Sequence, residues 1–402
     1  MKIAGVLLVA LALTATVAVG STGPSEPLET PAGPESGMYS LATGRDGRTY
    51  LSWLEPAGPG AHALRFSRLE GTSWSAPVEI ARAANWFVNW ADHPSVTAAA
   101  DGTLYAHWLV NTGSGEGGYG YAIRAATSGD AGRTWQTVFD EGTRNVKDYS
   151  GFLTFLPRAS GMDAVYLTPL SPDDGSGPAH DHIKTVGIAR FDATGTLQSR
   201  QIVDGDACSC CSTDMAETAD GPIAVYRDHD AGDIRDISII RLVEGKWTVP
   251  APVHRDVWHI GGCPTNGPAV AAAGARVAVA WFTAAGDSPK VNVAFSADAG
   301  ASFAAPVRID GGQPVGWADV LLLDDGRALV SWLERTGDGV GEIRLRAVGP
   351  DGGLGAPLTV ATASSGRGTG IPMIARAGDA AIVAWRDRGV RTARVSLAES
   401  SR

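Results

Sequence analysis

The sequence predicts an all-β fold: a single β-propeller, most simply of seven four-stranded blades. Three observations predict it. Seven segments of alternating apolar residues each end on an aromatic, at Trp53, Trp108, Tyr166, Tyr226, Trp281, Trp332 and Trp385, spaced 55, 58, 60, 55, 51 and 53 residues apart. That period suits one blade with long loops, and it overrides the two or three domains that 402 residues would otherwise suggest. The chain is also rich in turn formers and large strand formers, with 51 Gly, 23 Pro and 12 Trp, and has few long stretches of helical period. Finally, Asp46-Gly47, Asp101-Gly102 and Asp325-Gly326 precede aromatic-ended strands. Such pairs suit tight hairpins because glycine tolerates positive φ.

Each unit repeats one internal order. A strand such as Ser95-Val96-Thr97-Ala98 leads through a tight turn to the aromatic-ended strand; a third such as Tyr121-Ala122-Ile123-Arg124 and a fourth such as Trp135-Gln136-Thr137-Val138 follow. Blades one and four carry Gly71-Thr72-Ser73-Trp74 and Gly245-Lys246-Trp247 before their last strands. The seventh unit runs out near Leu397 with no fourth strand, while Glu26-Pro27-Leu28-Glu29-Thr30-Pro31 reads like the fourth strand elsewhere, for example Ala356-Pro357-Leu358-Thr359. Residues 21–37 are therefore expected to close the ring and remove its open edge, with 38–402 forming the propeller. A six-bladed ring is the alternative.

Residues 1–20 read as a signal peptide: Lys2, an apolar run from Ile3 to Leu13, then Ala18-Val19-Gly20 before Ser21. The expectation is an extracytoplasmic protein, periplasmic or secreted, with no transmembrane span after cleavage. With 33 basic against 43 acidic residues the surface repels phosphate backbones, which argues against nucleic acid as a partner. A monomer that takes a small-molecule, glycan or metal ligand is expected.

Two turns between third and fourth strands share a pattern: Ser128-Gly129-Asp130-Ala131-Gly132-Arg133-Thr134-Trp135 and Ser296-Ala297-Asp298-Ala299-Gly300-Ala301-Ser302-Phe303. They resemble the Asp-box, Ser-x-Asp-x-Gly-x-x-Trp, of sialidases and related bacterial-neuraminidase-repeat propellers. In that motif the Asp accepts turn N–H bonds, the Gly takes the strained position and the aromatic packs between blades. The motif marks a fold and carries no chemistry. The resemblance implies, for an active sialidase, an arginine triad, a Tyr–Glu nucleophile pair and an Asp acid/base. The Phe/Tyr-Arg-Ile-Pro motif bearing the first arginine is missing, Met38-Tyr39-Ser40-Leu41 standing in its place.

In propellers the loops entering first strands and leaving second strands gather on one face, where ligands bind. Blade two offers Trp86, Asn89, Trp90, Asp92 and His93 there, blade three Asp148 and Tyr149, and blade six Trp317 and Asp319. The loops after the aromatics add Arg227, Asp228, His229, Arg235, Arg335, Arg386 and Asp387. Arg227-Asp228 and Arg386-Asp387 occupy equivalent repeat positions, so they are either ion pairs at blade ends or, facing the axis, an anion-recognising patch. Trp86, Trp90 and Trp317 could stack on a sugar, with His93, Arg235, Asn266 and Asp319 as further binding groups. If the chain is a glycoside hydrolase, Asp92, Arg227, Asp228 and Arg386 are the catalytic candidates.

All four cysteines fall in the loops entering blades four and five: Cys208-Ser209-Cys210-Cys211 and, after His259, Cys263. Neighbouring loops would bring four thiols into one small volume. Two disulfides suit an oxidising compartment, although bridging within Cys208 to Cys211 is strained. Thiolates joined by His259 or His93 would instead suit copper or zinc, and a redox-active thiol pair is the third reading. Three functions compete: a binding propeller for a glycan or metal, a sialidase-like hydrolase, and a cysteine-centred metal or redox protein.

Overall fold

The computed structural model describes residues 23–113, 120–141, 149–169, 183–230, 232–366 and 368–397; the leader expected over residues 1–20 and Asp148 lie outside them. The described chain forms seven sheets of four or five antiparallel strands arranged as seven blades, so the six-bladed alternative is not needed. Within six of the sheets the strands follow chain order, as hairpin connections require. Blade three is representative: Gly151–Pro157 lies innermost, then Met162–Thr168, Ile183–Phe191 and the outer Leu197–Cys208.

The N-terminal strand Ser25–Leu28 pairs with Gly389–Ser396, the third strand of blade seven, with Ser25 opposite Val395 and Leu28 opposite Thr392. Blade seven thus takes its fourth strand from the other end of the chain. In blades one and four the outer strand is broken in two, Ser73–Trp74 with Val78–Ala83 and Lys246–Trp247 with Ala251–His254. Proline interrupts both, at Pro77 and Pro250, because it has no N–H to give to the ladder.

The apolar residues separate into seven clusters, and each lies between two neighbouring blades. The seven repeat aromatics are all buried; Trp53, Tyr166 and Trp332 are wholly out of water. Three of the indoles meet a carboxylate: Trp53 Nε1 donates to Glu55 at 2.8 Å, Trp332 Nε1 to Glu334 at 2.6 Å, and Trp281 Nε1 to Asp256 at 2.6 Å. A buried indole N–H without such a partner would cost about 1–3 kcal/mol.

The two Ser-x-Asp-x-Gly turns share one bonding scheme. Ser128 donates to Asp130, which accepts the N–H and hydroxyl of Thr134, and Ser296, Asp298 and Ser302 repeat it. Gly132 and Gly300 stand at φ +88° and +81°, and a Cβ on either would come within 2.8–2.9 Å of Phe66 or Ile239 in the preceding blade. Both glycines are therefore required twice, for backbone conformation and for blade packing. No helix among the described residues is long and apolar enough to cross a membrane.

Because the blades share no common core, removing one interblade aromatic should unlock a whole wedge. Trp332→Ala is expected to lower stability by about 3–5 kcal/mol, read as a fall in the denaturation midpoint. An effect below about 1 kcal/mol would contradict the wedge-by-wedge account.

Candidate metal centre

The cysteine segment is the crossing from the outer strand of blade three, which ends at Cys208, to the inner strand of blade four, Asp214–Thr218. It is tied down at both ends. Tyr149 donates its hydroxyl to the Ser209 carbonyl. Thr154 donates to the Thr213 carbonyl at 2.7 Å, and Thr213 returns a bond to the Phe152 carbonyl at 2.8 Å. The next crossing, from Ala251–His254 to Ala269–Ala273, carries Cys263. The two crossings touch backbone to backbone, for a Cβ on Gly267 would lie 2.1 Å from the Ser212 carbonyl oxygen. The expected adjacency of the cysteine loops is therefore present.

Cys208 Sγ lies 3.5 Å from Cys211 Sγ and 3.8 Å from Cys210 Sγ, and the three sulfurs sit within 4.8 Å of one another. They are 1, 9 and 1 % exposed for Cys208, Cys210 and Cys211. No disulfide links any of the four cysteines, so the structure is not the doubly bridged one. Cys263 is exposed and hydrogen-bonds Cys210. The trio could hold a metal ion; among the described residues neither histidine expected as a co-ligand joins it. His259 is exposed, with Nδ1 2.9 Å from the Gly232 carbonyl, and His93 is held between the carbonyls of Tyr39 and Trp90 at 2.8 and 2.7 Å.

A guanidinium faces the sulfurs. Arg235, fully buried, donates Nη1 to Cys208 Sγ at 3.2 Å. Its Nε has no hydrogen-bond partner among the described residues, and Nη2 has only Asp233 at 3.7 Å. Hydrogen bonds with Cys210 and Cys211, aided by the Arg235 charge, hold the Cys208 thiol well below its ordinary range, whereas burial pushes Cys211 up. Two neighbouring sulfurs and one guanidinium thus converge on the Cys208 sulfur.

Arg227 behaves differently from either sequence expectation. It does not pair with Asp228; its Nε and Nη2 donate to the Asn266 carbonyl at 2.9 and 2.8 Å, Nη1 to the Arg235 carbonyl at 2.6 Å and Nη2 also to the Phe282 carbonyl at 2.7 Å. With its guanidinium 4.9 Å over the Trp258 ring, it braces the loops that carry Arg235 and Cys263. Charged donors can outbid single neutral ones at carbonyls, which makes arginine suited to such bracing. Asp228 takes the Ser238 hydroxyl at 2.6 Å and the His229 N–H at 2.9 Å, and burial pushes it up to about 6. Arg386 leans on Gly37 and lies 3.5 Å from the Gly368 carbonyl.

The remaining candidates tie inner strands together around the axis. Asp92 accepts the Phe152 N–H at 2.9 Å and the Tyr121 hydroxyl at 3.2 Å; Asp319 accepts the Ile374 N–H at 2.7 Å; Asn266 Oδ1 accepts the Trp317 N–H at 2.7 Å. Asp214, not singled out in the sequence, does the same for Val270 at 2.8 Å. Asp214 and Asp319 sit opposite Val225 and Ser331, each one residue before a repeat aromatic, and that shared register was the available signal. Trp86 packs on Trp108 at 6.0 Å, while Trp90 and Trp317 meet edge to face at 5.7 Å across the mouth of the ring. A separate depression of about 520 Å³ lies at the rim of blades four and five, lined by His254, Arg255, Lys290 and Arg308 among others.

Asp92 is 2 % exposed, and burial pushes its carboxyl up to about 7. The folded chain therefore keeps a proton that the unfolded chain has lost between about pH 4 and 7, so this contribution to stability falls as pH rises through that window. Asp92→Asn, which still accepts the Phe152 N–H, is expected to remove the share of the slope that Asp92 contributes and to exceed the parent at pH 8 by on the order of 2 kcal/mol. Denaturant titrations at pH 5 and 8 check it; parallel curves for the two proteins would contradict it.

No family model matches the sequence, and no curated protein matches it. Among solved structures, an ulvan lyase, a polysaccharide lyase, is similar at 13 % identity over 94 % of this chain and 95 % of its own, with a TM-score of 0.54. A puromycin-hydrolysing peptidase from Mycobacterium tuberculosis aligns at 12 % identity over 94 % of this chain but 55 % of its own, with a TM-score of 0.52. A Streptococcus pneumoniae sialidase follows more loosely, at 12 % identity, 93 % and 70 % coverage and a TM-score of 0.46. The likeness to the lyase and the peptidase is one of fold.

Proposed function

We propose that this propeller is a binding protein for a soft metal ion, copper(I) in preference to zinc, held by Cys208, Cys210 and Cys211. The observation that carries the reading is the convergence of three buried sulfurs within 4.8 Å. Metal–sulfur bonds of about 2.3 Å set tetrahedral ligands about 3.8 Å apart, and the measured separations from Cys208 are 3.5 and 3.8 Å. The donor set is sulfur alone, which favours a soft ion. A closed structural zinc site needs a fourth ligand, and the compact group supplies three. Arg235 supports the same reading: three thiolates around a monovalent ion leave net negative charge in a dry pocket, and a buried guanidinium offsets part of it.

The glycan reading has less beneath it. Trp90 and Trp317 turn their edges and faces on each other, and Trp86 is spent on Trp108. The hydrolase reading needs Asp92 and Asp228 free to move protons, yet both accept backbone N–H bonds within the frame.

Titration of the reduced protein with copper(I) against a chromophoric chelator tests the proposal. One ion per chain is expected, with Cys208→Ser and Cys211→Ser each weakening binding by about 100-fold or more. Equal affinity in both variants, or no binding above that of a denatured control, would overturn it.

A further inference from the structure

The three sulfurs are almost sealed from water, so an ion held there needs a way in. Cys210, at 9 % exposed, is the least covered of the three, and it is the one that Cys263 touches. Cys263 itself is exposed. On its N-terminal side stand Gly261 and Gly262, where an added Cβ would meet nothing within 4 Å. On the other side the loop is clamped: Asn266 takes Arg227 on its carbonyl and the Trp317 N–H on its side chain, and Gly267 is pressed against Ser212. The thiol thus stands at solvent, against the trio, at the end of a firmly anchored segment.

Resting on the metal-binding reading above, we infer that Cys263 is the exchange ligand through which a soft ion passes between small thiols in solution and the buried trio. The step is ligand substitution without electron transfer. The Cys263 thiol gives up its proton as its sulfur bonds the ion, the bond from the donor sulfur to the ion breaks, and the departing thiolate takes up a proton. The ion then moves to Cys210: that thiol loses its proton as its sulfur bonds the ion, the bond from Cys263 to the ion breaks, and the proton passes to the departing Cys263 sulfur.

This assignment separates rate from affinity. Thiolate attack needs an accessible sulfur, so Cys263→Ser in the full chain is expected to slow copper(I) uptake from its glutathione complex by about tenfold or more. Equilibrium affinity, measured against a chromophoric chelator, should stay within about threefold of the parent, whereas Cys211→Ser loses affinity itself. Cys263→Ala should behave like Cys263→Ser, and unchanged thermal unfolding of both excludes a folding defect. Parent-like uptake rates in both variants would overturn the exchange role and leave the trio standing. Loss of affinity equal to that of Cys211→Ser would overturn it by making Cys263 a member of the permanent ligand set. Absence of copper(I) binding in the parent would remove both readings together.

Discussion

Everything in this molecule depends on the packing of one blade against the next. A four-stranded sheet has two apolar faces and cannot bury either alone, so each of the seven clusters is a joint possession of two neighbours. Burial of this kind is worth roughly 25 cal/mol per Å² of apolar surface, and it is available only if every blade has a partner on both sides. The short strand Ser25–Leu28 meets that condition by completing blade seven. The loop face inherits its rigidity from the same wedges, because each crossing starts on one blade and ends on the next.

That inheritance explains why the thiols sit where they do. The crossing from blade three to blade four is too short to move independently of the sheets, and Thr154, Thr213 and Tyr149 fasten it from the side. The adjacent crossing is fastened by Arg227, a charge placed wholly inside the protein and satisfied by three different carbonyl groups. Arg227 and Arg235 are thus neighbours with divided roles: one has its donors consumed by the frame, the other keeps donors in reserve beside sulfur.

The fold was legible in the sequence because its signal is periodic. Trp53, Trp108, Tyr166 and their successors fall on the innermost apolar wedges, and the reading of Glu26 to Pro31 as a displaced fourth strand needed only the pattern of the other units. The cysteine neighbourhood was legible for the same reason, since loop order follows blade order. Side-chain direction was not. Nothing local distinguishes Arg227, folded back onto carbonyls, from Arg235, aimed at Cys208, because the difference lies in partners contributed by Asn266 and Phe282, some 40 to 55 positions away. His259 likewise stands in the same loop as Cys263 yet points to Gly232. The axial carboxylates were half legible: Asp92 and Asp319 stood out as polar residues in entering loops, but their service as acceptors for the next blade's N–H groups depends on a neighbour that the linear pattern does not specify.

The pairing of Ser25–Leu28 with Gly389–Ser396 also orders events in time. The strand made first finds its partner only when nearly the whole chain has emerged, and contacts so remote along the chain are the slowest to form. During that interval six blades can assemble by local hairpins while the outer edge of the seventh stands bare, an opening for another molecule's strand. A strand that precedes all seven inner strands in the sequence is thus the one that assembly uses last.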